Sequence, residues 1–150
     1  MIQEEVTMSV EEWLGFGEHT KELLLSKSPI KQALDFNLKV AAQVLKDFQE
    51  KQQKLLETHA IKDELGQFKM VGENPNPSDL NSYSYKNKKL FFEELRATLV
   101  THVTLKVNKV SQKTTLPYQG LLIDLKTYLE INTELTPVDS LFLMKYYLTD

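Results

Sequence analysis

The chain of 150 residues contains no cysteine, which excludes disulfides, thiolate metal sites and cysteine nucleophiles. It has only five glycines, and they form no phosphate-binding loop ahead of a helix. It has no basic excess, because 18 Lys and Arg stand against 21 Asp and Glu, so the overall charge gives no signal for nucleic acid. No segment approaches the roughly 18 consecutive apolar residues of a membrane span.

The N-terminal stretch 1–10 lacks the basic region and the apolar region that make up a secretory signal. We therefore expect the protein in the cytoplasm of the cell that makes it. We expect no membrane partner, and association with a virion stays open.

The residues that could carry chemistry are scattered. The three histidines, His19, His59 and His102, lie on different segments, and none has a second ligand at metal-binding spacing on its own element. No serine occupies a nucleophile elbow. The sequence therefore predicts a protein that is not an enzyme, with no catalytic residue, no cofactor and no metal.

A long helix over residues 29–61 dominates the pattern. Ser28 caps it, Pro29 suits its first turn, and no glycine or further proline interrupts it. At ~1.5 Å per residue it spans roughly 50 Å, more than the ~30 Å diameter of a compact domain of this size. Its second half, from Gln49, is polar and predicts a projecting arm. Its apolar stripe consists of Leu34, Leu38, Ala41, Leu45, Phe48 and Leu55.

The remaining elements predict one domain over 1–150 with a mainly helical α+β fold. Ser9 and Glu12 form a capping box ahead of a helix over 9–26, in which Gly15 and Gly17 favour close packing on a neighbour. We predict a small antiparallel β element from about 67–71, 83–85 and 101–110. Residues 62–86 combine turn, strand and loop, and the other predicted helices cover 87–99, 117–131 and 137–148.

One aromatic and basic cluster lies beside the Pro/Asn-rich loop 72–84. Tyrosine and lysine together suit base stacking and phosphate contacts, whereas the alternative is a solvated helix start with tyrosines covering the core. The residues of this possible partner surface are Phe68, Asp79, Tyr83, Tyr85, Lys86, Lys88 and Lys89.

Two short motifs carry a family resemblance over about residues 30–130. The turn Lys62–Gly66 reads Lys-Asp-Glu-Leu-Gly, and Phe91–Leu95 reads Phe-Phe-Glu-Glu-Leu. With the long helix, they resemble a group of uncharacterised small proteins from tailed phages and prophages of Gram-positive bacteria. The helix over 9–26 departs from that pattern. The resemblance implies a phage or prophage context and no established activity.

Three hypotheses about function follow. The first is a non-enzymatic phage accessory protein that binds proteins and associates with itself, because the apolar stripe of the long helix exceeds one small core. The second is a host-directed inhibitor or anti-defence protein that uses the loop 72–89. The third is a nucleic-acid-binding accessory protein that uses the tyrosines and lysines of the cluster.

Overall fold

The computed structural model describes residues 1–24, 30–132 and 134–150. Within them, the predicted mainly helical α+β fold, with its long helix and C-terminal helices, is confirmed. In chain order the elements are β1 (Ile2–Ser9), α1 (Val10–Leu24), α2 (Lys31–His59), α3 (Lys88–Val100), β2 (His102–Ser111), β3 (Thr115–Tyr118), β4 (Leu121–Asp124), α4 (Leu125–Ile131), α5 (Pro137–Tyr146) and β5 (Leu148–Thr149).

Polar caps begin three of the predicted helices. The Ser9 and Glu12 capping box is confirmed, because the Glu12 N–H donates to Ser9 Oγ at 3.1 Å and the Ser9 N–H donates to Glu12 Oε1 at 3.2 Å. Asn87 accepts from the Leu90 N–H ahead of α3, and Thr136 accepts from the Asp139 N–H ahead of α5. The prediction that 9–26 ends at Ser26 lies outside the described residues.

The first half of α2 belongs to the main core. The predicted cap of this helix, Ser28 and Pro29, lies outside the described residues. The 29 residues of α2 span ~43 Å. The stripe prediction is wrong at Leu45, which is 44% exposed. The buried face of α2 includes Asn37 and Val44 and therefore lies to one side of the predicted stripe. The buried residues of α2 are Ala33, Leu34, Asn37, Ala41, Val44, Leu55, Leu56 and His59.

The second half of α2 is covered at its end, so the prediction of a solvated arm is wrong there. Leu55 and Leu56 pack with Phe91 and Leu95 of α3, which folds back along the helix, and with Ala60. We call these five buried residues the distal cluster. Phe91 lies at 0% exposure within it. The long apolar stripe is therefore shared between two separate cores.

The sheet contains a strand that the sequence did not predict. β1 pairs antiparallel with β2 over eight residues, from Ile2 opposite Lys109 to Ser9 opposite His102. On the other side of β2, the short strand β5 pairs in parallel, with Val110 opposite Leu148. The sequence assigned no helix or strand to residues 1–8, because these residues find their partner about 100 positions further along the chain.

The predicted β element of 67–71, 83–85 and 101–110 is wrong as one unit. Strand β2 joins the sheet just described. Residues 67–71 and 83–85 instead form isolated bridges with each other and with the chain that leaves α2. Those bridges pair Ala60 with Tyr85, Lys62 with Phe68 and Met70 with Tyr83.

The predicted helix 117–131 is wrong in its first half. Residues 115–124 form the hairpin of β3 and β4, with Tyr118 opposite Leu121. Gln119 (φ 52°) and Gly120 (φ 81°) take the two left-handed positions that this tight turn requires. Only α4 is helical, and Asp124 caps it by accepting from the Thr127 N–H at 2.7 Å.

The two glycines of α1 have opposite surroundings, which gives a testable difference. A Cβ at Gly17 would lie 2.8 Å from Ala41 Cβ, whereas a Cβ at Gly15 would meet nothing within 4 Å. We expect Gly17→Ala to lower the free energy of unfolding by about 1–3 kcal/mol through overpacking. We expect Gly15→Ala to raise it by about 0.5–1 kcal/mol, because Ala favours the helix. Urea unfolding measures the free energy of unfolding of each variant. Stabilisation by Gly17→Ala as well as by Gly15→Ala would contradict the close helix crossing at Gly17.

Candidate functional site

Five of the seven predicted partner-surface residues lie at the tip, which we define as residues 60–86, and Lys88 and Lys89 follow in the first turn of α3. The tip begins with a preformed turn, in which the Asp63 carboxylate accepts from the Leu65 N–H at 2.9 Å and from the Gln67 N–H at 3.0 Å. Gly66 takes the left-handed position of this turn with φ 79°. Leu65 stands at the apex with 84% of its surface exposed.

The predicted aromatic residues hold the loop 72–84 in place. The rings of Phe68 and Tyr83 meet edge to face at 5.8 Å, and the Tyr83 hydroxyl donates to the Pro77 carbonyl at 2.8 Å. The Tyr85 hydroxyl donates to the Leu80 carbonyl at 2.6 Å. The loop is therefore tied to its own base by two tyrosine hydroxyls.

Tyr85 is also part of the packing of the distal cluster. Its ring stacks on Phe91 with centroids 4.5 Å apart. Burial raises the pKa of Tyr85 to about 12, and the nearby Tyr83 and Asp79 add to that rise. Asp79 itself caps the one-turn helix Leu80–Ser82 by accepting from the Asn81 N–H at 2.9 Å. Stacking on a nucleic-acid base would require Tyr85 to leave Phe91.

The three predicted lysines lie on the surface beside this scaffold. The Lys88 Nζ lies 6.0 Å from the centre of the Phe92 ring, and the Lys89 Nζ lies 3.8 Å from Glu93 Oε1. Lys86 is exposed, and its backbone N–H donates to the His59 carbonyl at 2.8 Å. The structure therefore brings the predicted residues together. The aromatic residues form a scaffold, and only the lysines are accessible to a partner.

Two histidines pair with carboxylates between helices. His59 Nε2 lies 2.7 Å from Glu94 Oε2 and joins α2 to α3. His19 Nε2 lies 2.7 Å from Asp139 Oδ1 and joins α1 to α5, and this hydrogen bond holds the pKa of Asp139 below its usual value. His102 is exposed, with Nδ1 3.1 Å from the Val100 carbonyl oxygen. Among the described residues, no three His, Asp or Glu side chains are grouped to hold a metal.

A second candidate surface, which the sequence did not predict, is an apolar groove between α1 and α2. It has a volume of about 550 Å³. Its floor lies where the helices cross closely at Gly17 and Ala41. The groove is lined by Leu14, Gly17, Glu18, Lys21, Leu38, Ala41, Ala42 and Leu45.

The groove exposes apolar side chains of both α1 and α2. Leu45 is 44% exposed, Ala42 is exposed, and Leu14 and Leu38 are half-buried. Glu18 and Lys21 place one charge of each sign in the lining. The sequence signal was present, since Leu38 and Leu45 lie seven residues apart, but the stripe did not show which of its members would face the core.

Comparisons with known proteins gave no match: no family model, no curated protein and no solved structure matches the chain. Within residues 1–24, 30–132 and 134–150, no helix is long and apolar enough to cross a membrane. The surfaces of the chain itself therefore carry the functional argument.

Proposed function

We propose that this chain is a non-catalytic protein that acts by binding other proteins, including a second copy of itself. The observation that carries this proposal is the apolar groove between α1 and α2. Leu45 is 44% exposed and lies beside the half-buried Leu14 and Leu38. Together they form a contiguous apolar surface, and such surfaces mark interaction sites.

The shape of the groove suits an amphipathic helix of a partner protein. Two antiparallel helices flank it, and Leu38 and Leu45 lie two helical turns apart along one wall. Apolar residues at that repeat pack against the apolar positions of a third helix. The small side chains of Ala41 and Ala42 let such a helix approach closely, while Glu18 and Lys21 favour a partner that carries both charges.

A site-specific cross-linking experiment tests this proposal. A photo-cross-linking amino acid replaces Leu45 in one variant and Lys39, which is exposed on another face of α2, in the control. In lysate of a Gram-positive bacterium that carries a phage, we expect one discrete adduct at position 45. Mass spectrometry should map it to an amphipathic helix of one protein. We expect Leu38→Glu to abolish the adduct.

Adducts of equal yield at positions 45 and 39, or none at position 45, would count against the groove. A third cross-linker at Ser78, which is exposed in the loop 72–84, tests the host-directed alternative. A discrete host adduct at Ser78 alone would favour that alternative, in which the tyrosine-anchored loop is the contact surface.

The phage or prophage setting is also part of the proposal. It is supported by the resemblance of Lys62–Gly66 and Phe91–Leu95 to motifs of small phage proteins. The neighbouring genes test it directly. A tail or lysis cassette supports a structural or accessory role, an early or defence cluster supports the inhibitor, and a setting without phage genes contradicts both.

The nucleic-acid alternative receives less support from the cluster that suggested it. Tyr85 is stacked on Phe91, and Lys89 faces Glu93 at 3.8 Å. The formal net charge of −3 also opposes binding to phosphate backbones. A mobility-shift assay at low salt should show no binding, and a salt-dependent shift would revive this alternative.

A further inference from the structure

Strand β1 is the edge of its sheet, and its outer side has no partner strand among the described residues. The strand order is β1-β2-β5, so β2 covers only one side of the eight residues of β1. An edge of this kind presents a row of unpaired N–H and C=O groups that can pair with another strand.

Hydrogen bonds at the two ends of the ladder fix which residues point outward. The Val10 N–H donates to the Thr101 carbonyl at 2.9 Å, so the even-numbered residues of β1 bond to β2. On β2, the Asn108 N–H donates to Asn37 Oδ1 at 2.7 Å and therefore points away from β1, as this alternation requires. The outward N–H and C=O groups of β1 are thus those of Gln3, Glu5, Thr7 and Ser9.

The capping box limits this edge at its C-terminal end. The Ser9 N–H donates to Glu12 Oε1 at 3.2 Å, so it is not available to another strand. The fully available groups are those of Gln3, Glu5 and Thr7, and no hydrogen bond occupies them within the part of the chain that the structure describes. A partner strand must pair with this short row.

We propose that β1 pairs antiparallel with β1 of a second copy, with Val6 on the two-fold axis. In this register Glu5 lies opposite Thr7 of the second copy, and the two Glu5–Thr7 pairs exchange four backbone hydrogen bonds. Gln3 of each copy lies opposite Ser9, whose carbonyl accepts from the Gln3 N–H. The two sheets then join into one sheet through their β1 strands.

The charges of β1 and the position of its C-terminal end select this register over its neighbours. If the two-fold axis moves from Val6 to Glu5, Glu5 lies opposite Glu5 of the second copy. If it moves on to Glu4, Glu4 lies opposite Glu4. Like charges that lie directly opposite each other destabilise a sheet. A shift the other way brings Glu4 opposite Val10, where the strand has ended and α1 has begun.

The proposal rests on the self-binding part of the proposed function and leaves the groove between α1 and α2 free for another partner. The groove lies on the helices, whereas β1 lies at the edge of the sheet. A two-fold dimer through β1 would therefore carry two grooves. Because the surfaces differ, one of them can fail experimentally without the other.

A single cysteine tests the register, because the natural chain has none. At a non-hydrogen-bonded pair the Cα atoms lie ~4.5 Å apart, within the ~4.4–6.8 Å that a disulfide spans. We expect Val6→Cys to give a covalent dimer of twice 17.4 kDa on mild oxidation. We expect Thr7→Cys to form little covalent dimer under the same oxidation, because the two Thr7 residues lie two positions out of register.

A second variant tests the backbone contacts without a cross-link. Thr7→Pro removes an outward N–H and leaves the bonds from β1 to β2, so we expect loss of the dimer in sedimentation with an unchanged circular dichroism spectrum. Equal cross-linking of Val6→Cys and Thr7→Cys, or no cross-link at all, would overturn the register. Leu45→Glu in the Val6→Cys background should keep the covalent dimer. If the covalent dimer forms but the cross-linker at position 45 gives no adduct, the proposal for the groove is wrong and the proposal for β1 pairing stands.

Discussion

Replacing Asn37 by aspartate is expected to lower the free energy of unfolding by about 3–5 kcal/mol at pH 7, although the two side chains have nearly the same shape. Asn37 lies at 0% exposure in α2 and pairs with the backbone of Asn108 in β2. Its Oδ1 accepts from the Asn108 N–H at 2.7 Å, and its Nδ2 donates to the Asn108 carbonyl at 2.8 Å. Aspartate keeps the acceptor but sets a carboxylate oxygen against that carbonyl.

The pH dependence of this variant separates charge from shape. Burial and the facing carbonyl raise the pKa of the introduced carboxyl in the folded state, so lowering the pH protonates it and restores a donor. The loss in free energy of unfolding relative to the natural chain should therefore become smaller as the pH is lowered from 7 to 5. Gln49→Glu, the same chemical change at an exposed site of α2, should cost less than ~0.5 kcal/mol. Equal losses for the two variants would contradict the role of Asn37 as the link between α2 and β2.

Replacing Phe91 by alanine is expected to cost about 3–5 kcal/mol, because it opens the centre of the distal cluster. Phe91 is at 0% exposure and contacts Tyr85, Phe92 and His59 through its ring. Without it, Tyr85 loses its stacking partner and the loop 72–84 loses one of its anchors. Chemical denaturation gives the total loss, and hydrogen exchange locates it.

In hydrogen exchange, the amides of the tip should lose protection first in Phe91→Ala, while those of β1 and β2 keep theirs. Phe92→Ala is the matched control, since Phe92 is half-buried at the margin of the same cluster. It should cost less than Phe91→Ala. If both variants weaken the sheet as much as the tip, the two cores do not behave as separate units.

Local signals in the sequence predict three of the helices that begin with a polar cap. The Ser9, Asn87 and Thr136 caps form as their side-chain chemistry requires. The same reasoning misassigns Pro117, which suits the first turn of a helix but lies in β3. Cross-strand pairing with β4 and the left-handed positions at Gln119 and Gly120 decide that segment. A tight turn with a glycine in its second position was the overlooked signal.

Interactions between distant segments account for the rest of the differences. β1 forms because β2 lies beside it, and no local pattern in residues 2–9 identifies that partner. The groove depends on which flank of α2 meets the sheet, so the apolar stripe alone could not place Leu45 outside the core. The tyrosines of the predicted partner surface lie together, yet their hydroxyls bind carbonyl groups of the loop, a role that depends on the loop's path.

Sedimentation of the unmodified chain over a wide concentration range shows directly whether the protein binds a second copy of itself. We expect a reversible dimer of twice 17.4 kDa that dissociates on dilution and that is lost in Thr7→Pro. A single species of 17.4 kDa at every concentration, up to the limit of solubility, would contradict it.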